Sequence, residues 1–337
     1  MKKHSSYGIL RLNLSRYFTK NFSSREKDCI NEIEGLHFIE KEQSCDFEKL
    51  ILISTTQVDF NKLDTALLDK TSLIIHSNSG HDNFSLDFTS SVDFPIVLGN
   101  KLRARAVSEY IIKCFFHSIE KIPFCNEWDA FRSFERTLIE KRKVLIIGNG
   151  QIGTIVHKQL DSAGVNCTTF DPFKEQKSSY DSPAMIKTSV LETLEHTRFD
   201  HVILACGLNP SSRHLLDKSF FEGLSDNCVI INAARGALID QLALREFLTG
   251  NPKAFVYLDV FENEPDDLSA FDQVKNALTS SHIAGVHGDL EDDLIDFEVK
   301  TLKDYLSLGR SEFYDRYENS ILSNRIKSDC SGNTYLI

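Results

Sequence analysis

The sequence predicts an α/β protein with two doubly wound parallel-sheet domains and a cleft between them. Three observations lead to this prediction. The chain has 337 residues, which is more than one small core accommodates. Short apolar runs of strand length alternate with helical patterns, as is typical of parallel sheets. A second series of such alternating elements begins at Lys143.

The first hundred residues contain apolar runs of strand length with helical patterns between them. Strands are predicted at 7–10, 50–53, 73–75 and 96–98, and helices at 24–34 and 63–70. A longer helix is predicted at 106–118, because Val107, Ile111 and Phe115 fall on one face. A further helical pattern, with mixed charges, covers 128–140.

The second series starts with a strand at 144–147, a glycine-rich turn and a helix that ends near Ser162. Further strands are predicted at 167–170, 202–205, 229–231 and 255–258, and further helices at 218–223 and 241–248. The acidic stretch 289–308 is predicted to be one long helix. This order of elements is typical of a doubly wound sheet.

The composition is that of an ordinary globular chain and disfavours several kinds of partner. Lys and Arg number 38 against 49 Asp and Glu, a formal net charge of −11, which disfavours nucleic acid. The apolar runs are too short to span a membrane, and no leader-like apolar core follows the N-terminus. The eight cysteines lack metal-ligand spacing. We therefore expect reduced thiols, no metal and a cytoplasmic protein.

The strongest local motif is Gly148-Asn149-Gly150-Gln151-Ile152-Gly153, which follows a predicted strand and opens a helix. In this setting Gly148 permits a tight turn, Gly150 lets the backbone approach a pyrophosphate, and Gly153 allows close packing of helix and strand. The N–H groups at the helix start, at Gln151 and Ile152, suit the phosphates. The motif predicts a dinucleotide site.

Asp171 ends the next predicted strand, 18 residues beyond Gly153. This is close to the spacing of a carboxylate that accepts a hydrogen bond from the adenosine ribose. The same carboxylate would repel a 2′-phosphate, so the predicted cofactor is NAD rather than NADP. The alternative for Asp171 is a cap of the turn after the strand, a role that aspartate often has before proline.

Four blocks follow one another in a characteristic order. They are the glycine loop, INAARGALID at 231–240, LDVFENEP at 258–265 and SHIAG at 281–285. In order and spacing they resemble the cofactor domain of the D-isomer-specific 2-hydroxyacid dehydrogenases. Segments 79–83 (SGHDN) and 106–110 (AVSEY) resemble the same family more weakly. The resemblance implies NAD-dependent interconversion of a small-molecule 2-oxo acid and a D-2-hydroxy acid.

The resemblance places the family's catalytic residues on Arg235, Glu264 and His282. Arg235 would bind the substrate carboxylate and polarise the carbonyl. His282 would exchange the proton, because histidine titrates near neutrality, and Glu264 would orient the imidazole. The alternatives are a surface arginine, a solvated acid and a structural histidine. All three follow predicted parallel strands, where ligands bind in such sheets.

The resemblance implies further contacts around the reacting groups. The backbone N–H groups of Ser79 and Gly80 would bind the substrate carboxylate. Asn209, Ala234 and Asp259 would lie at the cofactor site, with Asp259 also helping to orient the catalytic groups.

We expect a flavodoxin-like substrate-binding domain formed by residues 1–100 and 288–337, and a Rossmann NAD-binding domain formed by residues 101–287. The chain would cross between the domains twice, which makes a natural hinge for closure of the cleft. The family is commonly dimeric through its cofactor domain, so the resemblance also implies a homodimer.

The particular substrate and the biological role stay open at this point. Blocks 231–237 and 281–285 are similar to erythronate-4-phosphate dehydrogenases, but with 55 residues after His282 we do not expect their long C-terminal dimerisation domain. Lys101, Arg103 and Arg105 would either contact a second anionic group of the substrate, such as a phosphate, or form a solvated helix start. An NAD(H)-sensing binding protein, like the C-terminal-binding-protein corepressors, is the alternative to an enzyme.

Overall fold

The computed structural model describes residues 6–122, 124, 126–131, 136–173, 192, 198–328 and 334–336. This part of the chain divides into two compact units. Unit 1 contains the described residues of 6–104, 286–328 and 334–336, and unit 2 those of 105–285. Each unit has its own parallel sheet with helices packed on it, so the predicted class of two parallel-sheet α/β domains is confirmed.

The main sheet of unit 1 is built from short apolar strands: β1 (Tyr7–Arg11), β2 (Leu36–Ile39), β3 (Lys49–Ser54), β4 (Thr71–His76) and β5 (Ile96–Leu98). All pairs are parallel and the order is β2-β1-β3-β4-β5. This is the order of flavodoxin-like sheets. A short antiparallel pair, β12 (Ile326–Ser328) and β13 (Thr334–Leu336), also belongs to unit 1.

Both faces of this sheet are covered. The helices of unit 1 are α1 (Phe22–Asn31), α2 (Thr65–Asp69), α3 (Leu86–Ser91), α8 (Leu290–Ser307) and α9 (Arg310–Arg316). Along β3, Leu50 and Leu52 point into one core cluster, whereas Ile51 and Ile53 point into the other. Because both faces are buried, the strand is a continuous apolar run rather than an alternating one.

The sheet of unit 2 consists of β6 (Lys143–Ile147), β7 (Asn166–Phe170), β8 (His201–Leu204), β9 (Val229–Asn232), β10 (Phe255–Leu258) and β11 (Ala277–Thr279). The described strands are parallel in the order β11-β10-β9-β8-β6-β7. The helices are α4 (Ala104–Ser118), α5 (Gln151–Ser162), α6 (Lys218–Glu222) and α7 (Gln241–Gly250). The order changes direction at β6, which has β7 on one side and β8 on the other, and ligands bind at such switch points.

The predicted strands are present, with ends shifted by up to two residues, whereas β2, β11, α3 and α9 are short elements that the sequence pattern did not indicate. The predicted helix at 128–140 is wrong where the structure describes it. Residues 136–138 are irregular, and Ile139–Lys141 form a single 3₁₀ turn; residues 132–135 lie outside the described residues. Trp128 and Phe131 are 80% and 93% exposed. Without a buried apolar face, a helix here gains no packing energy.

A buried cluster of charged side chains lies at the end of β1. Arg11 donates from Nε to both carboxylate oxygens of Glu26, at 2.7 and 2.8 Å, and from Nη2 to Glu298 Oε1 at 2.7 Å. Both glutamates are fully buried. Burial and the charge of Glu298 raise the pKa of Glu26 to about 8, although Arg11 acts in the opposite direction. Glu26 therefore binds a proton more readily than an exposed glutamate does.

We expect the substitution Glu26→Gln to flatten the pH dependence of stability. The pKa of Glu26 is higher in the folded than in the unfolded chain, so the folded protein holds a proton that the unfolded chain has lost. The free energy of unfolding should fall as the pH rises from about 5 to about 8, by at most about 1.4 kcal/mol per pH unit. Urea denaturation across this range measures the effect. The exposed Glu32, replaced by Gln, is the control. A slope that Glu26→Gln leaves unchanged would contradict the assignment.

Candidate active site

The glycine loop after β6 has the geometry that the sequence predicts. Gly148 has φ +101°, and a Cβ there would lie 2.6 Å from the backbone of Ala205. A Cβ on Gly153 would overlap the carbonyl oxygen of Gly148. A Cβ on Gly150, in contrast, would have no atom within 4 Å. Packing within the protein therefore explains Gly148 and Gly153, whereas the open space at Gly150 suits a ligand that approaches the backbone.

Asp171 lies beside this loop at the end of β7. Its Oδ2 accepts a hydrogen bond from Asn149 N at 2.8 Å, and its Oδ1 accepts one from Phe173 N at 3.1 Å. The carboxylate is half-buried and keeps lone pairs for a ribose hydroxyl. The open backbone at Gly150, the start of α5 at Gln151 and this fixed carboxylate fit NAD. The capping role that was the alternative is present as well.

Arg235 follows β9 in a tightly held loop. The side chain of the buried Asn232 donates to Arg235 O at 2.9 Å and accepts from Ala234 N at 3.0 Å. A Cβ on Gly236 would overlap the backbone of Phe261. This close approach places the Arg235 loop against the segment that carries Glu264. Position 236 therefore accommodates only glycine.

Glu264 and His282 form a direct pair. His282 Nδ1 lies 2.8 Å from Glu264 Oε2, and Glu264 Oε1 accepts from Phe261 N at 3.0 Å. Partial burial alone would raise the pKa of Glu264, but the hydrogen bonds from His282 and Phe261 N, together with the charges of His282 and Arg235, hold it below its usual range. The structure thus brings the three predicted catalytic residues together. A carboxylate holding Nδ1 leaves Nε2 of His282 for proton exchange.

The loop that carries His282 is fixed by Asp259. The fully buried carboxylate of Asp259 accepts hydrogen bonds from the N–H groups of Ile283 and Ala284, each at 2.8 Å, and from Ser280 Oγ at 2.6 Å. His282 N donates to Asp259 O, also at 2.8 Å. His282 has φ +54°, a conformation that costs about 1 kcal/mol or more outside glycine. These bonds hold the loop in that conformation.

Two residues near these loops lie in the quoted segments 106–110 and 231–240, but no role was predicted for them from the sequence. Tyr110 Oη lies 2.6 Å from Ser280 Oγ, which in turn donates to Asp259. Burial raises the pKa of Tyr110 to about 12, so its hydroxyl remains a donor. Asn232 is the other, since it shapes the Arg235 loop. Tyr110 acts through a tertiary contact with Ser280, 170 positions away, for which a tyrosine inside a helix gives no local signal.

The other predicted cofactor contacts lie after strands of the same sheet. Asn209 follows β8, and its Oδ1 accepts from Ser211 N and Ser212 N at 2.9 and 3.1 Å, which fixes its own turn. Ala234 lies in the Arg235 loop, and the carboxylate of Asp259 is engaged with the His282 loop. Contact of these three residues with the cofactor stays a prediction.

Unit 1 carries the predicted substrate loop after β4. Gly80 O lies 2.9 Å from His76 Nε2, and Ser79 O lies 3.3 Å from His81 Nδ1. Arg103 donates to Tyr17 Oη and its guanidinium lies 5.4 Å from the centre of the Tyr17 ring.

In unit 2, Arg105 is 86% exposed and its Nε lies 3.5 Å from Glu109. This exposure favours a solvated helix start, which is the second of the two interpretations given for Arg105.

A glycine loop at a helix start, a carboxylate at the end of the next strand and a histidine–glutamate pair are the features that the sequence predicts for a nicotinamide-dependent oxidoreductase. Residues 121–284 match the family model described as "D-isomer specific 2-hydroxyacid dehydrogenase, NAD binding domain". For these residues the match confirms the resemblance to the family, and with it the class of NAD-dependent oxidoreductase and the NAD-binding domain.

Two similar proteins are dehydrogenases that are named after phosphorylated compounds. The erythronate-4-phosphate dehydrogenase of Wigglesworthia glossinidia brevipalpis is 28% identical over 298 residues, which are 85% of this chain and 71% of that one. The D-3-phosphoglycerate dehydrogenase of Methanocaldococcus jannaschii is 25% identical over 263 residues, 75% of this chain and 49% of that one. The chain thus spans about half the length of the second protein.

A solved structure supports the fold. The D-lactate dehydrogenase of Aquifex aeolicus, in complex with NAD and lactic acid, superposes with a TM-score of 0.66 at 16% identity, covering 94% of this chain and 99% of that one. Within the described residues there is no helix with the length and apolarity needed to cross a membrane. The same residues contain no group of His, Cys, Asp or Glu arranged for a metal ion.

The substitution Asp259→Asn tests whether Asp259 acts through the His282 loop. The amide cannot accept from both N–H groups and the Ser280 hydroxyl, so kcat should fall by about tenfold or more. The dissociation constant of NADH, measured by fluorescence titration, should change little. Asp200, which accepts from Lys143 N at 2.8 Å at the other end of the sheet, is the control as Asp200→Asn. Weaker NADH binding with unchanged kcat would instead make Asp259 a cofactor contact.

The substitution Asp171→Ser tests the selectivity for NAD. Loss of the carboxylate removes an acceptor for the ribose and the charge that repels a 2′-phosphate. We expect NADH to bind about tenfold more weakly and NADPH to bind relatively more tightly. Titration of both cofactors by fluorescence measures the ratio of the two dissociation constants. An unchanged ratio would show that Asp171 only caps its turn.

Proposed function

We propose that the protein interconverts a 2-oxo acid and the corresponding D-2-hydroxy acid with NAD as the redox partner. The observation that supports this most directly is the 2.8 Å contact between His282 Nδ1 and Glu264 Oε2 beside Arg235. When bound, the nicotinamide supplies the hydride in reduction and accepts it in oxidation. The remaining requirements are a proton donor, a carboxylate anchor and exclusion of water.

His282 is the proposed acid and base. In reduction Nε2 would give a proton to the carbonyl oxygen, and in oxidation it would take the proton from the hydroxyl. Glu264 would accept the hydrogen bond from Nδ1–H and stabilise the charged ring. Its lowered pKa supports this role, because the carboxylate then stays ionised at a lower pH than an ordinary glutamate does. The hydrogen bonds of Asp259 would keep the imidazole at a fixed angle.

Arg235 is the proposed anchor of the substrate carboxylate and carbonyl. A guanidinium offers two parallel N–H donors, and its permanent charge polarises a carbonyl oxygen. The loop bonds of Asn232 fix the backbone from which it extends. The N–H groups of Ser79 and Gly80, on the loop after β4, are the proposed second carboxylate contact.

The substrate class within 2-oxo acids is a separate part of the proposal. The names of the two relatives favour testing phosphorylated acids beside simple ones. Lys101, Arg103 and Arg105 are the basic side chains proposed for contact with a second anionic group. For Arg103, the interaction with Tyr17 would have to be exchanged for that contact.

The experiment follows NADH absorbance with small apolar, aromatic, dicarboxylic and phosphorylated 2-oxo acids. The variants His282→Gln and Arg235→Ala should lower kcat/KM by about two to four orders of magnitude, because each removes a group that acts in the transition state. NADH affinity should be retained. The control is His214, which forms another histidine–glutamate pair in unit 2, since its Nε2 lies 3.0 Å from Glu262 Oε2. Its substitution His214→Gln should leave turnover within about threefold.

Turnover at the parent rate in both His282→Gln and Arg235→Ala would refute the mechanism. Tight NADH binding without turnover of any acid would refute the enzyme and favour the NAD(H)-sensing alternative.

A further inference from the structure

Three neighbouring strands of unit 1 end in buried polar side chains. Arg11 ends β1, Ser54 ends β3 and His76 ends β4. Arg11 is 6% exposed, and Ser54 and His76 are fully buried. Burying such groups is costly unless each finds a hydrogen-bond partner. Their hydrogen bonds lead to the segment 77–80 that follows β4.

The first residue of this segment is held by Glu298. Ser77 Oγ donates to Glu298 Oε1 at 2.6 Å, and both residues are buried. The same oxygen accepts from Arg11 Nη2 at 2.7 Å, so the carboxylate is itself fixed by the buried cluster at the end of β1. Glu298 lies on α8 and Ser77 directly after β4, 221 positions apart in the chain. Hydrogen bonds to a charged acceptor are stronger than neutral ones.

The last residue of the segment is held by His76. Its Nε2 lies 2.9 Å from Gly80 O, and because a carbonyl oxygen only accepts, Nε2 is the donor. The other nitrogen, Nδ1, lies 3.0 Å from Ser54 Oγ. The ring also packs edge-on against Phe84 at 5.0 Å. The imidazole thus cannot rotate without losing contacts on both sides.

Segment 77–80 is therefore fastened at both ends by buried side chains. A short loop fixed in this way loses most of its backbone freedom before any ligand arrives. Ordered N–H donors bind an anion more tightly than mobile ones, because the ordering cost is already met.

We propose that Glu298 and His76 are positioning residues for substrate binding, which hold segment 77–80 so that the N–H groups of Ser79 and Gly80 face the carboxylate of a 2-oxo acid. The proposal rests on the proposed function for the identity of the ligand. The anchoring itself concerns only unit 1.

Glu298 could also act only by attaching α8 to the sheet, and Tyr305 on the same helix allows this role to be tested separately. Tyr305 Oη donates to Ser72 O at 2.9 Å, at the opposite end of β4 from the loop. The substitution Tyr305→Phe therefore removes a hydrogen bond between the same helix and the same strand without touching segment 77–80. It is the matched control.

The kinetic test uses Ser77→Ala, Glu298→Gln, the double variant and His76→Phe. Ser77→Ala removes one oxygen atom and leaves the buried cluster intact. It should raise KM for the 2-oxo acid about tenfold, with kcat within about threefold and NADH affinity unchanged. Glu298→Gln should raise KM by a smaller factor, and the double variant should not exceed Ser77→Ala, because both act through one hydrogen bond. His76→Phe should raise KM in the same way, and Tyr305→Phe should not.

The second test measures hydrogen exchange of the amides in 77–82 by mass spectrometry, in the full chain and without substrate. These amides should exchange faster in Ser77→Ala and His76→Phe, and at the parent rate in Tyr305→Phe. Parent-rate exchange in the first two variants would overturn the anchoring. Faster exchange with unchanged KM would overturn the role in substrate binding. If the parent turns over no 2-oxo acid, the proposed function fails, and exchange alone then decides the anchoring.

Discussion

Parallel pairing is the constraint on which both main sheets depend. Parallel strands need crossover helices on their faces, so both faces are buried and the strands are apolar throughout. Polar side chains with chemical roles are then confined to the residues just beyond the carboxyl ends. Asp171, Arg235 and Asp259 occupy such positions in unit 2, and Arg11 and His76 end strands in unit 1. The site and the buried cluster are consequences of the same architecture.

Within unit 2, a few strong interactions set the geometry of the proposed catalytic residues. Asp259 uses its carboxylate on two backbone N–H groups and a serine hydroxyl, and so holds His282 at a positive φ. Gly236 permits the Arg235 loop to meet the Glu264 segment. A buried carboxylate with all its bonds satisfied is rigid. The Glu264–His282 pair therefore has a defined orientation before any ligand binds.

Much of this could be predicted because the signals are local. The strand–glycine–helix motif at Gly148 and the apolar runs such as 255–258 follow from backbone sterics and periodicity within a few residues. Other features could not be predicted. They are the hydrogen-bond partners of Asp259, the hydrogen bonds of Asn232 to the Arg235 loop and the exposure of Trp128. Each depends on residues distant in sequence, and a charged or aromatic side chain carries no local sign of its partner.

By itself the sequence predicted the α/β class and the glycine loop, because glycines at fixed spacing and uninterrupted apolar strands permit few other structures. The resemblance of its motif blocks predicted the family. The resemblance predicted that Glu264 orients His282, and the structure places the two side chains 2.8 Å apart. Only the tertiary structure decided that Glu298 holds Ser77. A hydrogen bond between residues 221 positions apart exists only once helix and sheet have packed. Its formation depends on the burial of the whole unit, which no local pattern encodes.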